Sequence, residues 1–276
     1  MCIKENGTIL IPTDFSQQSL NAIKNAFNIG RYTNSKLLLL HTFQKPDESE
    51  EVRLKQLAEQ TAKESGLVCD PISRKGNAFD ETTKLAKEIN ASLIVTGSEI
   101  PTRIRTFMGN SAVSNFIKNA PCQVLTVRTS EYTNGCKNIV MPFDLSPESR
   151  EKVSTTIQIA KYFNADIRIV SVFDPNDVKY ENRLLPYLQQ VKQFIKSRNV
   201  RCTNKSIPSR YPVESIIDYA NRNNSELIVQ MNNKTTGFGE LIGGTLSQKI
   251  VDTSNIPVLT INPMKRESLS HFGSGL

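Results

Sequence analysis

Two stretches decide the fold: TILIPTDFS (Thr8–Ser16) and NIVMPFDLS (Asn138–Ser146). Each is a short apolar run of strand-forming residues, then Pro, then Asp and Ser two positions apart, and the two aspartates are 144 − 14 = 130 residues apart. The match continues in unchanged order. LLLLHTF (Leu37–Phe43) pairs with IRIVSVF (Ile167–Phe173) at the same offset. LIVTG (Leu93–Gly97) pairs with LIVQM (Leu227–Met231), and CQVLTV (Cys122–Val127) with IPVLTI (Ile256–Ile261), both at 227 − 93 = 256 − 122 = 134. Four matched segments in register mean one structural unit used twice. A chain of 276 residues also suits two domains of about 100–150 residues each. The expected units are 1–130 and 137–264, joined across the polar segment RTSEYTNGCK, Arg128–Lys137.

The strand candidates are continuous apolar runs, the pattern of parallel strands covered on both faces. Helical stretches lie between them. After Ser16, a plausible N-cap, Leu20, Ile23, Phe27 and Tyr32 recur at roughly helical spacing, and Glu50–Glu64, Phe79–Asn90 and Ser111–Lys118 supply the other helices of the first half. Strands alternating with helices predict βαβ units. The fold class is therefore α/β, with two tandem doubly wound five-stranded parallel-sheet domains. The short apolar last strands, Val124–Val127 and Val258–Ile261, are expected to pair edge to edge, making an intramolecular pseudo-dimer and leaving a further homodimer open.

Composition excludes several classes. Hydrophobic residues are 38% and charged residues 22%, unlike a disordered chain. The longest apolar run, Leu37–Leu40, is far short of the roughly 20 residues that span a bilayer, and the N-terminus has no signal-peptide core, so a cytoplasmic protein without membrane contact is expected. Five scattered cysteines without a CxxC pair and only two histidines, His41 and His271, argue against a disulfide framework or a metal site. Net charge is +7, but the excess is spread along the chain without aromatic interleaving, which disfavours nucleic acid as a partner.

Ligands of open α/β sheets bind beyond the carboxyl ends of the strands, where strand order reverses. In the first half those exits hold Pro12, Thr13 and Asp14, then His41, then the loop GSEIPTRIRTFMGNS from Gly97 to Ser111. Gly97 allows close backbone approach, Gly109, Asn110 and Ser111 open a helix whose free N–H groups suit a phosphate, and Arg103 and Arg105 add charge. The second half offers Asp144, Lys234, and Gly243, Gly244 and Thr245. Each has a structural alternative: Asp-x-Ser caps a helix, His41 is a hydrogen-bonded core residue, and the glycines are turns. No nucleophile with a neighbouring base is visible, so no catalytic and no metal-ligating residue is assigned.

The set I/V-P-x-D-x-S, LIVTGS (Leu93–Ser98), GNS (Gly109–Ser111) and APCQVLTV (Ala120–Val127), with Pro142–Ser146 and Pro257–Ile261 in the second half, resembles the universal stress protein family, over about residues 5–262. The resemblance implies a Rossmann-like, adenine-nucleotide α-hydrolase-like fold, tandem in this chain. Many members bind ATP through an aspartate after the first strand and a Gly-x2-Gly-x9-Gly-Ser/Thr loop. It therefore implies Asp14 near the adenine, Gly97 as the first glycine, and Gly109, Asn110 and Ser111 at the phosphates. Ile100 stands where the second glycine belongs, and Met231 and Lys234 replace both glycines in the second half. Three functions follow as expectations: a stress-response module binding an adenine nucleotide, mainly in the first half; a slow ATP hydrolase using Mg²⁺; and an interaction scaffold for a protein partner that has lost the nucleotide.

Overall fold

The computed structural model describes residues 3–97, 111–128, 135–146, 148–232 and 245–262. Arg103, Arg105, Gly109, Asn110, Lys234, Gly243 and Gly244 lie outside them, as does most of both loops. The first half runs β1 (Thr8–Thr13), α1 (Gln17–Thr33), β2 (Lys36–Phe43), α2 (Glu48–Ser65), β3 (Cys69–Lys75), α3 (Ala78–Glu88), β4 (Leu93–Gly97), α4 (Ser111–Asn119) and β5 (Gln123–Val127). The second repeats it as β6 (Asn138–Pro142), α5 (Glu148–Phe163), β7 (Asp166–Phe173), α6 (Val178–Ser197), β8 (Cys202–Pro208), α7 (Pro212–Arg222), β9 (Leu227–Met231), α8 (Leu246–Thr253) and β10 (Val258–Ile261).

The ten strands form one sheet in the order β3-β2-β1-β4-β5-β10-β9-β6-β7-β8. Within each half all pairing is parallel, with Thr8 opposite Lys36 and Thr13 opposite His41 between β1 and β2. The sequence reading of two doubly wound α/β units is what the chain forms. The halves join where β5 and β10 pair antiparallel, Leu259 opposite Leu125, so the apolar edge each half would expose is consumed by the other. The two remaining edges, β3 and β8, carry Pro71, Arg74 and Lys75, and Lys205 and Pro208, residues that discourage further strand addition.

Both faces of the sheet are covered. Alternate side chains sort to opposite layers: Ile9, Ile11, Leu37, Leu39, Leu93 and Val95 pack under α1 and α2, whereas Leu10, Leu40, Ile94 and Val124 pack with Leu85, Val113 and Phe116 of α3 and α4. The second half follows the same division. Side chains also bind the halves together. Tyr32 stacks on Tyr162, its equivalent 130 positions on, at 6.2 Å and 11°, and Gln158 accepts from the Ile3 amide at 2.9 Å and donates to its carbonyl at 2.8 Å. Asn262 closes the seam from the other face by donating to the carbonyls of Ile117 and Ala120 at 2.9 and 3.0 Å.

Candidate functional site

Strand order reverses between β1 and β4, and there a cleft of about 200 Å³ opens. Pro12, Thr13 and Asp14 line it from the end of β1, Thr96 and Gly97 from β4, Leu40 and Thr42 from β2, Phe79 and Thr82 from α3, and Val113 from α4. Apolar faces from Leu40, Phe79 and Val113 thus converge with a row of hydroxyls and one carboxylate, the usual make-up of a small-molecule site.

The local sequence explains how Asp14 is held. Ser16 caps α1, its hydroxyl accepting from the Ser19 amide at 3.3 Å. Asp14 Oδ1 accepts from the Ser16 amide at 3.1 Å and the Ser16 hydroxyl at 2.5 Å. Oδ2 has no partner among the described residues. Between them Phe15 sits at φ +61°, a left-handed conformation that costs a non-glycine residue on the order of 1–3 kcal/mol and persists only where the surroundings enforce it. Here the Phe15 ring lies 4.6 Å from the His41 ring and 4.5 Å from the Arg53 guanidinium.

His41 itself does not line the cleft. Leu40 and Thr42 do, so strand alternation turns His41 to the other face, where Nδ1 meets the Thr13 carbonyl at 2.9 Å and Nε2 meets Glu50 at 3.2 Å. Gly97 is explained by packing. A Cβ there would stand 3.0 Å from Gln18 Cβ and 3.2 Å from its backbone carbon, so the close approach this glycine permits is of β4 to the first turn of α1. Ser111 begins α4.

The second half builds the equivalent exit differently. Asp144 Oδ1 accepts from the Ser146 amide at 3.0 Å and from the Ser146 and Ser149 hydroxyls, both at 2.5 Å. Beneath lies Lys152, 4% exposed, whose ammonium donates to Ser149 Oγ at 3.4 Å. The first half has Ala22 at that position. Burial drives the Lys152 pKa down to about 8 against the opposing pull of Asp144. Burial alone would raise the Asp144 pKa, but the Lys152 charge and the serine hydrogen bonds outweigh it and hold the carboxyl below its ordinary value. Met231, in place of Gly97, is buried in the core. The Thr245 hydroxyl is committed to capping α8, accepting from the Gln248 amide at 3.3 Å.

Sequence reasoning missed Thr42, Phe79, Thr82, Thr96 and Val113. The signal was available in part, since Thr42 and Thr96 each sit one residue from a predicted strand exit; Phe79 and Val113 read simply as apolar helix positions.

The profile of the universal stress protein family matches the chain twice, over residues 5–128 and 135–262. A universal stress protein of Methanocaldococcus jannaschii, MJ0531, is 26% identical over 145 residues, 48% of this chain and 85% of that protein. A putative universal stress protein of Staphylococcus aureus is 37% identical over 81 residues, 29% of this chain and 41% of that protein. In fold, the chain is similar to a solved universal stress protein from Archaeoglobus fulgidus, with a TM-score of 0.74 at 17% identity over 95% of this chain and 98% of that one. The repeated motifs, the doubled sheet and the double profile match agree that this chain belongs to the universal stress protein family.

Proposed function

We propose that the protein is a cytoplasmic stress-response module that binds one adenine nucleotide in the first-half cleft. The observation that carries this reading is the cleft itself, where a carboxylate whose Oδ2 has no partner among the described residues, four threonine hydroxyls and three apolar walls meet at the strand-order reversal. A flat base fits between apolar walls, and its exocyclic amine or a ribose hydroxyl supplies the donor that Asp14 lacks. The space these residues enclose lies below the roughly 300–1,000 Å³ of whole ligand pockets, which suits the base and sugar. Among the described residues Asp14 is the sole carboxylate lining it, and no metal-binding cluster occurs. Mg²⁺, when present, would be held by the phosphates of the nucleotide.

Titration calorimetry of the full chain with ATP, with and without Mg²⁺, tests this. The expected outcome is one site of micromolar affinity, about −8 kcal/mol, weakened about tenfold or more in Asp14→Ala, which removes the acceptor. An absence of heat, with no co-purified nucleotide, leaves the interaction scaffold in its place. The second half favours that scaffold reading for itself, because Asp144 already accepts from two serine hydroxyls, one of which is bound in turn by the buried Lys152.

A further inference from the structure

The two halves hold the same backbone carbonyl by different chemistry. In the second half the Ser171 hydroxyl donates to the Phe143 carbonyl at 2.6 Å. At the positions 130 earlier, His41 Nδ1 meets the Thr13 carbonyl at 2.9 Å, and its Nε2 reaches on to Glu50 of α2 at 3.2 Å. A carbonyl and an ionised carboxylate can only accept. Both bonds therefore coexist only when both ring nitrogens carry protons, as in the imidazolium. The neutral ring keeps one donor and turns a lone pair on the other partner.

The loop beside this residue also differs between the halves. Phe15, against which the His41 ring packs, is in the left-handed region, whereas its equivalent Leu145 is not. A strained loop and a titratable clamp thus occur together in the first half and are absent together from the second. The charged groups around the clamp are Glu50 and Arg53 of α2 and, in the intervening loop, Asp14, which lines the cleft. From β3 the register partner of His41 is the neutral Ser73; Arg74 is the partner of Thr42 and is bound to Glu88.

We propose that His41 is a protonation-dependent positioning residue for the first-half site: its imidazolium ties the end of β1 to α2 and holds the Asp14–Ser16 loop in its binding form. Loss of the proton breaks the Glu50 link and lets the loop relax. This rests on the nucleotide reading above and adds its regulation. Affinity should be greatest in mild acid and fall on the order of tenfold on going to mildly alkaline solution, the loss expected for one charge-assisted bond.

The test uses the full chain, with ATP affinity measured by calorimetry and the Phe15 and Ser16 amides followed by NMR across that pH range. His41→Ser installs the second-half residue, which still donates to the Thr13 carbonyl but neither titrates nor reaches Glu50, and its own profile subtracts the titration of the phosphates. Support is a fall in wild-type affinity absent from His41→Ser, with both amides shifting at the same midpoint. Parallel profiles in the two proteins and unmoved amides overturn the proposal while leaving nucleotide binding intact. If ATP binds at no pH yet the amides still titrate in the wild type alone, the clamp stands and the nucleotide reading falls. Should His41→Ser not fold, Glu50→Ala removes the same link from a half-exposed side chain and gives the same comparison.

Discussion

Next to the end of β6 the protein stores a cation where the first half has a methyl group, and the neighbouring serine differs with it: Ser149 donates to Asp144, whereas Ser19 donates to the Ser16 carbonyl. Asp144 Oδ1 accepts from the Ser146 amide and from the Ser146 and Ser149 hydroxyls above the buried Lys152, whereas among the described residues Asp14 Oδ1 accepts from Ser16 alone. The two charges are linked through Ser149, whose hydroxyl donates to Asp144 Oδ1 and accepts from the Lys152 ammonium; such buried charges often stabilise no better than apolar residues of their size, but removing one strands the other. Asp144→Ala should therefore cost about 3–5 kcal/mol, read as a lower urea midpoint, while Asp144→Asn combined with Lys152→Met should stay within about 1 kcal/mol of the wild type or exceed it. Equal losses in the two would contradict the pairing. The pH dependence has a defined sign. Lys152 titrates at about 8 when folded against 10.5 ordinarily, so the unfolded chain binds the extra proton between those values. Its contribution to stability rises from about pH 8 upward and levels off near 10.5, by about 3 kcal/mol. Stability measured as the wild type minus Lys152→Met should show that rise.

At the scale of elements, the packing of β4 on α1 turns on Gly97. Gly97→Ala places a methyl group 3.2 Å from the backbone carbon of Gln18, an overpacked contact that should cost about 1–3 kcal/mol and lower the thermal midpoint whether or not nucleotide is present. Apolar runs such as Leu37–Leu40 and Leu93–Val95 made the parallel strands legible, and Ser16 marked the start of α1. Helix limits were less legible: α2 starts at Glu48 because Asp47 caps it, its carboxylate accepting from the Ser49 amide at 2.8 Å, and that cap lies outside the apolar periodicity. For the site, Pro12 and Asp14 follow from the strand-exit rule. Phe79 does not, because only the placement of α3 over β1 and β2 brings it to the cleft. His41, a strand-exit candidate with a core alternative, faces away from the cleft, because strand period counted from Leu40 decides its face. Lys152 gains meaning only when set against Ala22.

Across the whole molecule, the β5–β10 pair is what makes one body of two units. Leu259→Pro places a residue without an N–H in a central strand of the join, and it should separate the unfolding of the halves into two calorimetric transitions. A single unaltered transition would show that the contacts of Tyr32, Gln158 and Asn262 suffice without the ladder. The antiparallel join has a further consequence. Because strands within a half run parallel and the join reverses direction, the carboxyl ends of β1 and β4 and those of β6 and β9 emerge at opposite poles of the sheet. On the nucleotide reading proposed above, a ligand-dependent surface would be confined to one pole, and the Lys152 pole would stay the same whatever is bound. A partner that reads the bound state must approach from the first pole, and one that tethers the protein permanently can use the second without competing.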